Sequence, residues 1–189
     1  MSVTKLILAV LEGFKSRVPS SKQILTVYSF VLFIAAGWSI YSFLFNLPSS
    51  LYYFNTFQII SVFSYVMAFT LFESILVLLA LVAIGIVLPG KWFRDCFTYS
   101  GPLVILVGGV ASVRLQDSMR TGIPPLRWVA VGALLVLIAC VVLIWLFHKV
   151  TALQKIFLKV VEQFVIFAYI YVPLGLLGMV IVLVRNVLQ

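Results

Sequence analysis

LFESILVLLALVAIGIVLPG occupies residues 71–90. From 74 to 88 it holds no charged side chain and shows neither the alternation of a half-buried strand nor the single apolar face of a surface helix. A helix that is apolar all round is solvated by lipid or by other apolar helices. The apolar run reaches back to about Phe57, so one membrane span is predicted at 57–88. That exceeds the roughly 20 residues needed to cross the hydrocarbon core, so the helix tilts or leaves its first turns in the interface. Pro89-Gly90 ends it.

The rest of the chain has the same character. Of 189 residues, 64% are hydrophobic and 10% charged, with mean hydropathy +1.24. A soluble domain is nearer half apolar and a quarter charged. The composition predicts an all-α integral membrane protein and excludes a disordered tail, a disulfide-rich secreted scaffold and a collagen-like fibre. Working outward, the other spans are expected at 24–45, 97–115, 128–147 and 152–188. A turn at 46–50 contains Pro48, a basic-aromatic turn at 91–95 contains Lys91, Trp92 and Arg94, and a polar loop at 116–127 contains Pro124-Pro125. Thr151 and Gln154 fit a capping box, and Pro173 is expected to kink the last span.

Ahead of these spans, residues 1–18 form a separate segment. Val3, Leu6, Ile7, Val10, Leu11 and Phe14 share an arc of about 140° at 100° per residue, opposite Lys5, Glu12 and Lys15. This predicts an amphipathic helix, in the headgroup plane or against the rest of the protein. The short run 6–11 leads into Glu12, Lys15 and Arg17, unlike a signal peptide. Residues 22–189 are expected to form one five-helix domain.

The net charge of +8 follows from 13 Lys and Arg against 5 Asp and Glu. The cations fall between apolar runs, where they set topology and meet anionic headgroups. No basic cluster is interleaved with exposed aromatics, so nucleic acid is not an expected partner. With the N-terminus cytoplasmic, nine cations lie inside (Lys5, Lys15, Arg17, Lys22, Lys91, Arg94, Lys149, Lys155, Lys159) and four outside (Arg114, Arg120, Arg127, Arg185). The expected location is the cytoplasmic membrane, with the C-terminus outside.

Glu73 is the acid well inside a span. A charge there costs about 2.5–3.5 kcal/mol, which the neighbouring Leu, Ile, Val and Phe offset at about 0.3–0.6 kcal/mol each. The carboxyl must be protonated, paired or wet. Glu73 lies about 22 Å from the inner boundary and Arg114 about 26 Å. A short turn joins their spans, so the two helices are expected to be antiparallel neighbours forming a Glu73–Arg114 pair. Protonation with a hydrogen bond to Ser64, Ser74 or Tyr65 is the other possibility.

The small residues Gly108, Gly109 and Ser112, with Gly175 and Gly178, are expected to support close helix packing. Lys91, Trp92, Arg94, His148 and Lys149 are expected at the membrane interface. Tyr169 and Tyr171 are expected to pack with local hydrogen bonds or to line a cavity. Cys96 and Cys140 lie at depths too different for a disulfide, and one histidine without Cys-x-x-Cys gives no metal or haem set. No nucleophile–base pattern, Walker loop or metalloprotease motif occurs. The expected function is therefore that of a non-enzymatic structural, anchoring or accessory subunit, without cofactors. Its expected partners are membrane lipids and other membrane subunits or copies of itself. The alternative is a small oligomeric channel or ion- or proton-coupled transporter using Glu73 and Arg114.

Overall fold

The computed structural model describes residues 19–87, 96–122 and 126–188. The predicted amphipathic helix at 1–18 and the turn bearing Lys91, Trp92 and Arg94 lie outside the described residues. Among the described residues the regular elements are six α-helices: α1 Ser21–Tyr53, α2 Thr56–Val87, α3 Phe97–Thr121, α4 Leu126–Lys149, α5 Thr151–Gln163 and α6 Val165–Leu188. With α5 and α6 taken together, the described residues contain five helical stretches long and apolar enough to cross a membrane. The protein is an all-α bundle of membrane-spanning character.

Local chemistry explains the boundaries. Pro19 precedes Ser20, whose hydroxyl accepts from the Gln23 N–H at 3.4 Å while the Ser20 N–H donates to Gln23 Oε1 at 2.9 Å. That reciprocal capping starts α1. Asn55 and Gln58 make the same exchange, at 2.9 Å in both directions, and start α2. The predicted turn at 46–50 is instead helical, and α1 runs through Pro48 for 33 residues, about 50 Å. Asn46 Nδ2 donates to the Ser42 carbonyl at 2.7 Å, and the Ser49 and Ser50 hydroxyls donate to the Asn46 carbonyl. These bonds hold polar groups on the helix where a proline would otherwise mark its end. Similarly, α3 continues past Leu115 to Thr121, through the first half of the predicted polar loop.

The last span, expected as one helix kinked at Pro173, is divided into α5 and α6. Val150, with no side-chain cap, separates α4 from α5, so Thr151 and Gln154 form no capping box. The helix passes through Pro173 and breaks at Phe164. A chain of ring contacts pins this break: Phe164 lies 4.2 Å from Phe33 and 5.6 Å from Phe30, Phe157 lies 5.3 Å from Phe147, and Phe167 stacks on Tyr171. The strongly amphipathic α5 keeps Val161 buried and exposes Lys155, Lys159 and Glu162. It packs through Phe157 and Leu158 on the start of α3 and the end of α4.

The tightest part of the bundle is α1–α2–α6, centred on Leu32, Ala36, Met67, Leu71, Ala168 and Tyr171. Glycines on α6 allow this approach. A Cβ on Gly178 would lie 2.8 Å from the Ser64 carbonyl oxygen, and one on Gly175 would lie 3.1 Å from Leu71 Cβ. At the far end Arg185 donates to the Ser61 hydroxyl, and Tyr65 donates to Asn186 Oδ1 at 3.0 Å. Gly175 and Gly178 both lie at this close approach of α6 to α2.

The third helix sits on the opposite side of α1. Phe97 packs with Val27, Val31 and Leu81, and a Cβ on Gly101 would lie 2.9 Å from Val27 Cγ1. Thus α1, rather than α2, is the main support of α3, and α2 and α3 meet near Leu81 and Phe97. The expected side-by-side packing of the second and third spans is not what forms: α3 packs mainly along α1, and the α2 face bearing Phe69, Phe72 and Glu73 stays exposed. The α4 helix has no buried residue and hangs on α3 and α5. Around Gly108 and Gly109 nothing comes within 4 Å of an added Cβ, and Ser112 is exposed, its hydroxyl donating to the Gly108 carbonyl at 2.9 Å. The expected packing role of Gly108, Gly109 and Ser112 therefore finds no contact among the described residues. Gly108→Ala is expected to raise stability by up to about 1 kcal/mol through helix propensity. Gly101→Ala is expected to lower it by about 1 kcal/mol by crowding Val27. Thermal unfolding of both variants in one detergent checks the contrast.

Candidate functional site

The site is created by where α3 stops following α1. Gly101 and Gly108 lie on one face of α3, within about 20° at 100° per residue and about 10 Å apart along the axis. Contact with α1 is tight at the first and gone at the second. On α1, Val27, Val31, Trp38 and Ser42 share a strip of about 60°. The third helix covers that strip at Val27 and Val31 but leaves Trp38 45% exposed. Glu73 lies on α2 two turns beyond Leu81, within about 80° of it around the helix.

What remains is a recess of about 400 Å³ between α1 and α2. Its α1 wall carries Trp38, Ser39, Ser42 and Asn46, and its α2 wall carries Val66, Phe69, Thr70 and Glu73. Thr70 Oγ1 lies 2.8 Å from the Val66 carbonyl and 2.7 Å from Ser39 Oγ. Thr70 has one hydroxyl proton, so when it donates to Val66, Ser39 donates to Thr70. Toward the lysine-bearing end, where α1 begins with Lys22 and α4 ends with Lys149, Val27, Val31, Leu81 and Phe97 close the crevice with apolar side chains. The recess thus opens laterally and is sealed at one end.

The structure does not bring Glu73 and Arg114 together. Both are exposed on the bundle surface, and neither makes an ion pair among the described residues. Arg114 lies on α3 within about 20° of Val107 and about 120° from Gly108. Val107 lines an apolar crevice against Leu135 and Ala139 of α4. Arg114 is therefore carried on the α4 side of α3, away from its own recess. Ser74 donates to the Leu71 carbonyl at 2.7 Å, Ser64 to the Ile60 carbonyl at 2.9 Å and Tyr65 to Asn186, so these neighbours are turned elsewhere than to Glu73.

The remaining predicted residues fall in distinct places. His148 is exposed at the end of α4, its Nδ1 3.4 Å from Tyr99 Oη and 3.9 Å from Cys96 Sγ. Lys149 Nζ lies 4.2 Å from the centre of the Trp145 ring, a cation–π contact suited to an interface. Tyr169 is 69% exposed, whereas Tyr171 is buried in the α1–α2–α6 core with its hydroxyl unbonded among the described residues. Both cysteines are free. No three His, Cys, Asp or Glu side chains gather as a metal set among the described residues. Sequence reasoning missed Ser39, Ser42, Asn46 and Thr70. Their signal was polar residues at helical spacing on a face otherwise suited to packing.

These features define a multi-pass α-helical membrane protein with a polar recess opening within its spans. Comparison of the chain with protein families, with characterised proteins and with solved structures finds no match.

Proposed function

We propose that the chain is a non-enzymatic accessory or anchoring subunit of the cytoplasmic membrane, with its N-terminus cytoplasmic and its C-terminus outside. It acts through contacts between its helices and other membrane components. The observation that carries this reading is the crevice that α3 begins to fill and then leaves, with Glu73 on its wall and no ionic partner among the described residues. A carboxyl at mid-span calls for a donor, and a laterally open recess admits one from outside the chain. The bare surface of α4 offers a further helix face. The exposed Lys22, Lys149, Lys155 and Lys159 suit anionic headgroups at one end of the bundle.

Purification in mild detergent followed by mass analysis tests the proposal. A second membrane component or second copy at fixed stoichiometry is expected. A lone chain at every protein and detergent concentration would overturn it.

A second reading, an ion- or proton-coupled carrier centred on Glu73, draws support from the polar lining of the recess. The apolar seal at Phe97 and Leu81 weighs against it. Under that reading Glu73→Gln abolishes flux in vesicles while the bundle stays folded. Under the subunit reading, the parent protein passes no ions.

A further inference from the structure

We propose that the recess is filled by a second copy of this chain, with Arg114 of one copy entering beside Glu73 of the other. This rests on the subunit reading and names the partner.

Helix α1 serves as a ruler for the heights. Thr70 meets Ser39, so Glu73, three residues nearer the lysine-bearing end, stands level with about Ala36. Gly101 meets Val27, so Arg114, thirteen residues further on, stands level with about Ile40. The two charges differ by about 6 Å in height, within reach of an arginine side chain. Their directions forbid the bond within one chain, because Arg114 is carried on the α4 side of α3. A neighbouring copy removes that obstacle. The same sequence then supplies both a carboxylate in an open polar recess and an exposed guanidinium at matching depth, neither ion-paired among the described residues.

Because the recess and Arg114 face different ways, the contact is head to tail, and a closed ring about an axis along the membrane normal lets each copy give one arginine and receive one. Arg114 brings a planar, permanently charged group with five donors. Ser39, Ser42 and Asn46 on the recess wall supply acceptors for donors that the carboxylate leaves free. Both charges thereby leave lipid for a polar, hydrogen-bonding setting.

The test is energy transfer between donor- and acceptor-tagged copies of the full chain in vesicles, with lipid dilution to separate association from crowding. The parent should show transfer that persists on dilution. Glu73→Lys alone and Arg114→Glu alone should each weaken association at least tenfold. Mixing the two variants should restore it, because every interchain pair is then of opposite charge. A bond within one chain could not be restored by mixing. Glu73→Gln and Arg114→Gln provide gentler disruption if a charge-reversal variant fails to fold. Transfer no greater than that of a dilution control would overturn the self-association. So would association indifferent to all four substitutions, or single losses without rescue between folded variants. A stoichiometric foreign subunit in mild detergent, with no self-transfer, would overturn this inference while sustaining the subunit reading.

Discussion

Gly178→Leu is expected to detach α6 from α2 and leave little folded protein. The contact it violates is with backbone: a Cβ would stand 2.8 Å from the Ser64 carbonyl oxygen and 3.2 Å from Met67 Cβ. A carbonyl on a helix cannot turn aside as a side-chain end can, so the helices themselves must part. Even Gly178→Ala is expected to cost about 1–3 kcal/mol, the usual penalty for overfilling a packed site. The loss reaches the centre of the fold, because Met67, Leu71, Ala168 and Tyr171 form one cluster there. Thermal unfolding in detergent checks both variants. An alanine variant as stable as the parent would show that α6 does not lie this close.

Phe97→Ala is expected to free α3 from α1 and breach the closed end of the recess. The ring is fully buried among Val27, Val31 and Leu81. In a water-soluble core such a truncation costs about 3–5 kcal/mol. In a bilayer lipid takes the place of water, and association rests mainly on packing, so a loss of about 2 kcal/mol is expected. A second effect distinguishes this site from other large core residues. With the ring gone, the crevice from Glu73 toward the lysine-bearing end loses its plug, and vesicles containing the variant should leak protons faster than those with the parent. Phe97→Leu, which keeps most of the volume, should preserve both stability and tightness. Equal leakage from the parent and Phe97→Ala would remove Phe97 as the seal.

The existence of the spans could be read from the chain because it depends on local composition: a run such as 74–88 has only one solvent. The packing of Gly175 and Gly178 was legible for the same reason, since small residues at regular spacing mark a face whatever lies opposite. Neighbour relations were not legible in this way. The short connection after α2 suggested that α2 and α3 pack together, yet α1 can meet both, and connection length does not reveal which competing face buries more surface. The small face at Gly108 misled for a related reason: it shows where close approach is allowed, whereas Phe97 and Val27 decide where it happens. Proline misdirected the reading at Pro48, which lies inside α1 instead of ending it. Pro173 lies inside α6, while the break falls at Phe164, which the rings of Phe30 and Phe33 on α1 hold in place. The recess itself depends on α3 diverging from α1, a feature no sequence window contains.

The lysines of the described residues, Lys22, Lys149, Lys155 and Lys159, gather where α1 begins and α4 ends, whereas Arg114, Arg127 and Arg185 lie toward the opposite rim. Primary amines and guanidinium groups are thus segregated along the bundle axis. A membrane-impermeant amine reagent added to intact cells, and then to inverted vesicles, should modify these four lysines together from one compartment and spare them together from the other. The sidedness of the whole bundle could then be assigned by covalent labelling, without introducing a reporter into any helix.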